Sequence, residues 1–151
     1  MQRALADLRA TGSLVSASFF LSLIAQALCL FSRYDETLVT IDEALTVIEE
    51  TDERSTEAEV HRTKGELVLA RGVSNAAQAE QSFRTAIEIA RCQKAKSLEL
   101  RATTSLARLL HDTNRRNEAR SMLSEIYTWF TEGFDTPDLK DAKALLDQLS
   151  Q

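Results

Sequence analysis

The chain has 151 residues, of which 44% are hydrophobic and 27% charged, and its formal net charge is -5. That length suits one domain with its own core, the composition excludes a disordered chain, and the acidic balance argues against loose binding to nucleic acid or an anionic membrane. Only four glycines and one proline interrupt it, so an almost wholly helical chain is expected.

Residues 2–11 are amphipathic, with Leu5 and Leu8 at helical spacing and Gly12 as a stop signal. No partner helix precedes them, so residues 1–12 read as the tail of a preceding repeat. Residues 14–31 form an apolar stretch that imitates a secretory leader, with Ala25-Gln26-Ala27 resembling a cleavage site. A buried repeat helix is the better account. Ser16, Ser18, Ser22 and Gln26 interrupt the run, and Asp7 stands where a leader would be basic. Helical pairs are then expected over 16–32 and 35–50, over 52–71 and 75–91, and over 96–112 and 115–131. Tyr34 reads as a packing residue at the entry of the second helix, and Asn114 suits a left-handed turn. After Gly133 the pattern restarts: Thr136 is the N-cap and Pro137 takes the first helical position. Leu139, Ala142, Leu145, Leu146 and Leu149 make one apolar stripe, while Lys140, Asp141, Lys143 and Asp147 face water. That is the pattern of a terminal capping helix, and the C-terminus reads as a true end.

A short pattern recurs three times across these pairs. Leu21-x2-Ile24-Ala25-x2-Leu28, His61-x2-Lys64-Gly65-x2-Val68 and Thr103-x2-Leu106-Ala107-x2-Leu110 place a small residue in one slot of each first helix. Each is echoed in the second helix by Thr37-x3-Ile41-x2-Ala44, Ala79-x3-Phe83-x2-Ala86 and Ala119-x3-Leu123-x2-Ile126. Such self-similarity marks a helical repeat array. The small residues let paired helices approach closely, and Ile41, Phe83 and Leu123 fill the space between successive pairs. From Ala25 to Gly65 is 40 positions and from Gly65 to Ala107 is 42, against about 34 in the ordinary tetratricopeptide repeat. Ala44 to Gly65 and Ala86 to Ala107 are both 21, so the excess lies between repeats, where the helices are longer. The expected fold is an all-α, tetratricopeptide-like solenoid of helical hairpins. Residues 1–151 form one domain, divided into the leading tail (1–12), three repeats (13–51, 52–93, 94–132) and the cap (133–151).

Several stretches carry a family likeness: residues 61–67 (HRTKGEL), residues 90–102 (ARCQKAKSLELRA), residues 105–109 (SLARL) and residues 129–139 (WFTEGFDTPDL). They resemble the C-terminal tetratricopeptide-like region of large bacterial proteins that carry a predicted ATPase module. Many of those begin with an adenylate/guanylate cyclase or winged-helix regulator domain. Leu98 stands where that family commonly has tryptophan, and Asn114 where it commonly has glycine. No nucleotide-binding or cyclase segment is present, so the resemblance implies a sensing, scaffolding or regulatory role and carries over no catalytic residue.

The residues themselves offer no enzyme signature: there is no phosphate-cradling glycine loop, nucleophile elbow or paired metal-ligand spacing. Catalytic residues, metals and cofactors are all expected to be absent. His61 and His111 read as surface or capping histidines, and Cys29 and Cys92 as reduced, buried thiols. The acidic run Glu49, Glu50, Asp52, Glu53, Glu57 and Glu59 reads as a solvated helix junction. Arg101, Arg108, Arg115, Arg116 and Arg120 read as partners for acids within the chain. Trp129, Phe130 and Phe134 read as a buried joint between the third pair and the cap.

In tetratricopeptide arrays the first helix of each pair lines a concave groove. The corresponding positions here are Phe19, Ser22, Gln26, Glu59, Arg62, Glu66, Arg101, Thr104, Arg108 and His111. Arg62, Arg101 and Arg108 offer bidentate bonding to a carboxylate or an acidic peptide. The expected function is a non-catalytic, cytoplasmic protein- or peptide-binding module that binds neither nucleic acid nor membrane. The alternative is a domain that packs on a neighbouring ATPase or cyclase module and tunes it without an external ligand. An uncapped N-terminal flank also predicts a homodimer.

Overall fold

The computed structural model describes residues 16–151, which form seven α-helices and no strand. These are α1 (Ala17–Leu30), α2 (Tyr34–Thr51), α3 (Glu57–Ala70), α4 (Ala76–Cys92), α5 (Lys96–Asp112), α6 (Arg116–Tyr127) and α7 (Pro137–Leu149), with a 3-10 turn at Val73–Asn75. The leading tail and its helix over 2–11 lie outside the described residues. Each helix packs on the next, and α1 and α3, α3 and α5, and α5 and α7 also touch. The odd-numbered helices therefore stand side by side.

The recurring residues explain that arrangement. Ala25, Gly65 and Ala107 are all buried, as are Thr37, Ala79 and Ala119 opposite them and the fillers Ile41, Phe83 and Leu123. The helices end in step too. Ser32, Gly72 and Asn114 have positive φ, and each lies seven positions after its small residue (25 to 32, 65 to 72, 107 to 114). Asp52 and Lys94 repeat the device between pairs, each eight positions after Ala44 or Ala86. At Ser32, Lys94 and Asn114 the following amide reaches back five residues, from Arg33 to the Leu28 carbonyl at 2.9 Å, Ala95 to Ala90 at 2.8 Å and Arg115 to Leu110 at 2.7 Å. These closures satisfy carbonyls that a helix end leaves bare.

The buried side chains form two clusters. One joins α1 and α2 to Val60 and Leu67 of α3, and the other runs from α4 to α7 with Val68 and Leu69 of α3 against it. Helix α3 is thus a wall common to both. Most threonines of this interior keep a bond, Thr37, Thr40, Thr63 and Thr104 each donating to the carbonyl four residues back, whereas the buried Thr103 hydroxyl has no partner.

Two boundaries depart from the periodicity. Helix α3 begins at Glu57 rather than near 52, because Asp52 turns left-handed and Glu53 folds the chain through bonds from Ser18 Oγ (2.9 Å) and the Ser55 amide (3.2 Å). Helix α6 stops at Tyr127 rather than 131, where the Thr128 hydroxyl donates to the Glu125 carbonyl. The capping stripe packs as expected, with Leu139, Ala142, Leu145 and Leu149 buried. Thr136 occupies the N-cap, but its hydroxyl donates to the Gly133 carbonyl rather than capping α7. Arg116 closes the other end, donating to the Leu149 and Gln148 carbonyls at 3.0 and 2.8 Å.

The α4–α5 junction stores an acid-sensitive contact. Glu99 is buried and accepts from Arg91 Nε and Lys96 Nζ, each at 2.7 Å. Burial alone would raise its pKa, but Lys96 and Arg91 outweigh it and hold the carboxyl below its ordinary value. A carboxyl depressed in the folded state stabilises the fold above its unfolded pKa of about 4.3 and ceases to do so as pH falls through the lower folded value. Melting temperature is therefore expected to fall on acidification below about pH 5, with a shallower fall in Glu99→Gln. Identical acid profiles would refute this role.

Candidate functional site

The side-by-side odd helices, with α7 as the last, frame an open depression of about 260 Å³. It is lined by Gln26 of α1, Glu59 and Arg62 of α3, Arg101, Thr104, Ser105 and Arg108 of α5, and Asp138 and Asp141 of α7. Six of the groove residues named from the sequence thus come together: Gln26, Glu59, Arg62, Arg101, Thr104 and Arg108. Ser105, Asp138 and Asp141 complete the lining.

The charges occur in layers. At the α3 level Arg62 is mostly buried. It donates to Glu59 at 2.7 and 3.1 Å, to Glu66 through a short bond, and to Ser105 Oγ at 3.5 Å. Burial works against its charge, but its bonds to Glu59 and Glu66 and their negative charge overcome it and hold the guanidinium above its ordinary pKa. Glu59 is only 6% exposed, which removes it from the solvated junction the acidic run suggested. Its burial is tolerable because Arg62 binds it and Arg101 approaches to 3.6 Å. Glu66 also accepts from Ser105 Oγ at 3.1 Å, tying α3 to α5.

At the α5 level the pairs are open to water. Arg101 Nε meets Asp138 at 2.7 Å and Arg108 meets Asp141 at 2.5 Å, with Arg101, Arg108 and Asp141 exposed. Pairs of that kind are worth about 0–1 kcal/mol, so either guanidinium is readily handed to another anion. Arg115 likewise has partners within the chain, bonding Glu80 and Glu118, which Arg84 also bridges, so that α4 and α6 share a network on the opposite side.

The remaining named residues stand elsewhere. Phe19 is exposed on α1, Ser22 is buried and pairs with Gln26 at 3.3 Å, and Glu66 sits behind Arg62. His111 is half-buried with Nδ1 enclosed and unbonded, and His61 is half-buried, its pKa lowered by burial and by Lys64. Three expectations need correction. Cys92 is exposed and Cys29 half-buried, because each lies in the last turn of its helix at the edge of the packing; burial, then Glu66, raises the Cys29 pKa. Of the aromatic joint only Phe130 packs on the core. Trp129 is 58% exposed, lying edge-on to Phe130 with Lys96 Nζ over its ring at 5.8 Å, and Phe134 is also exposed. The reason is the early end of α6, which carries Trp129 off the buried face. The third concerns α1, whose apolar sequence is buried on one side only: Phe19, Phe20, Leu23, Ile24, Leu30 and Phe31 are all exposed.

No family model and no curated protein matches this sequence. The class established by the fold is accordingly that of an all-helical protein. Among the described residues no helix is long and apolar enough to cross a membrane, and no three His, Cys, Asp or Glu side chains gather as metal ligands would.

Proposed function

We propose that the chain is a tetratricopeptide-like solenoid that binds a protein or peptide segment along the depression between its odd-numbered helices. The supporting observation is that Gln26, Arg101 and Arg108 line one open surface while the side chains beneath them, Thr104 included, are locked in bonds. The ligand is a partner carboxylate exchanging for Asp138 and Asp141 on Arg101 and Arg108. Arg62 drops out as a ligand contact, since Glu59 and Glu66 hold it. On this reading the module is non-catalytic and cytoplasmic, and it serves a bacterial regulator of the ATPase or cyclase kind that the sequence resembles. The intramolecular alternative places the same surface against a neighbouring domain.

The test is affinity capture from lysate with the wild type and with Arg101→Gln/Arg108→Gln, neutral changes that set no like charge beside Glu59. The expected result is at least a tenfold loss of a specific partner, with melting temperature nearly unchanged because the pairs are exposed. Equal capture by both would remove the groove from the function.

A further inference from the structure

We infer that the outer face of α1 is the seat of a second copy of this chain, independently of the groove. The bare face has no counterpart elsewhere in the array. Counting from the small residue of each first helix, Phe20 corresponds to Val60 and Ala102, and Leu23 to Thr63 and Ser105. Phe20 is 53% and Leu23 47% exposed, whereas the four inner counterparts are at most 7% exposed because the preceding pair covers them. A helix apolar on its outer as well as its inner face is one that is normally enclosed.

The chemistry of the face selects the occupant. Residues 17–31 contain no charge at all, so nothing there calls for a charged partner. Nor does the face copy the inner joints: Leu23 replaces their small hydroxyl residues, and exposed Ala27 replaces Leu67 and Leu109. The result is a small residue at the centre of a collar formed by Phe20, Leu23, Ile24, Leu30 and Phe31. That shape suits a helix crossing its own symmetry mate, with Ala27 at the close approach and each collar filling the grooves beside the other. Six large side chains at roughly half exposure offer about 500 Å² of apolar area, which with its rim approaches the ~800 Å² per partner of a stable dimer. Residues 1–15 carry Arg3, Asp7 and Arg9 beside Leu5, Leu8, Leu14 and Val15, so that segment is the competing cover that the experiment has to separate from a second copy. Head-to-tail stacking is disfavoured, because α7 turns Lys140, Lys143, Asp147 and Gln148 outward.

Sedimentation equilibrium of the full chain between about 1 and 200 μM tests the inference, using the wild type, Leu23→Glu, Ala27→Glu and, as a control, Trp129→Ala. Expected are a dimer for the wild type and the control, and at least a tenfold weaker dimer for both α1 variants with unchanged far-ultraviolet circular dichroism. A wild type that stays monomeric throughout overturns the inference, whether residues 1–15 or a foreign protein then covers the face. Dimers of undiminished strength in the α1 variants overturn it equally.

Discussion

Gly65→Leu is expected to lower stability by about 3 kcal/mol, read as a fall of roughly 10 °C in melting temperature. The cause is a matched pair of departures from the repeat. Where the first and third pairs combine an alanine with Ile41 or Leu123, the second combines Gly65 with the larger Phe83. A Cβ on Gly65 would lie 2.5 Å from Phe83 Cε1 and 2.7 Å from Cδ1, and the ring is fully buried. Even Gly65→Ala is therefore expected to lose stability, although alanine improves helix propensity by about 1 kcal/mol. Phe83→Leu alone leaves space above the glycine and costs about 1–2 kcal/mol. Combining the two restores the pairing of Ala107 with Leu123, so the double variant should exceed the sum of the singles by at least about 1 kcal/mol. Simple additivity would show that Gly65 and Phe83 do not share the space assigned to them.

Arg62→Ala is expected to cost about 3–5 kcal/mol, because it leaves the buried Glu59 carboxylate without its main counter-charge. Glu59→Gln should be milder, since Arg62 keeps Glu66 and an amide still accepts a bond. Denaturant unfolding of both variants checks this, and an Arg62→Ala loss under about 1 kcal/mol would refute it. The contrast with Arg101 and Arg108 is instructive: three arginines from one sequence pattern divide into one largely buried and two exposed members.

Much of this was legible in the chain. The slots of Ala25, Gly65 and Ala107 fixed which faces meet, because helical spacing and side-chain size act locally. Asn114 announced its left-handed turn through its residue type, whereas Ser32 and Lys94 adopt the same conformation without such a signal. Arg62, Arg101 and Arg108 were visible as groove cations, but their partners were not. Asp138 and Asp141 lie 37 and 33 positions away; Asp141 reads as a solvated residue of the cap, and Asp138 only as part of the likeness over 129–139. Their three-residue spacing against the seven of Arg101 and Arg108 was the available clue. The exposure of α1 was hidden for a different reason: apolarity says that a face seeks cover, while cover itself depends on what lies alongside.

The position of α3 has a mechanical consequence. Its Val60 and Leu67 belong to one apolar cluster, while Val68 and Leu69 pack on the other. Neither half can melt and leave its neighbour intact, because each would strip one flank of the same helix. In a stacked array, cooperativity passes only between neighbours, so a helix shared in this way transmits a disturbance from either end to the other. A ligand that stiffens α5 would thereby also steady α1 through the helix they share.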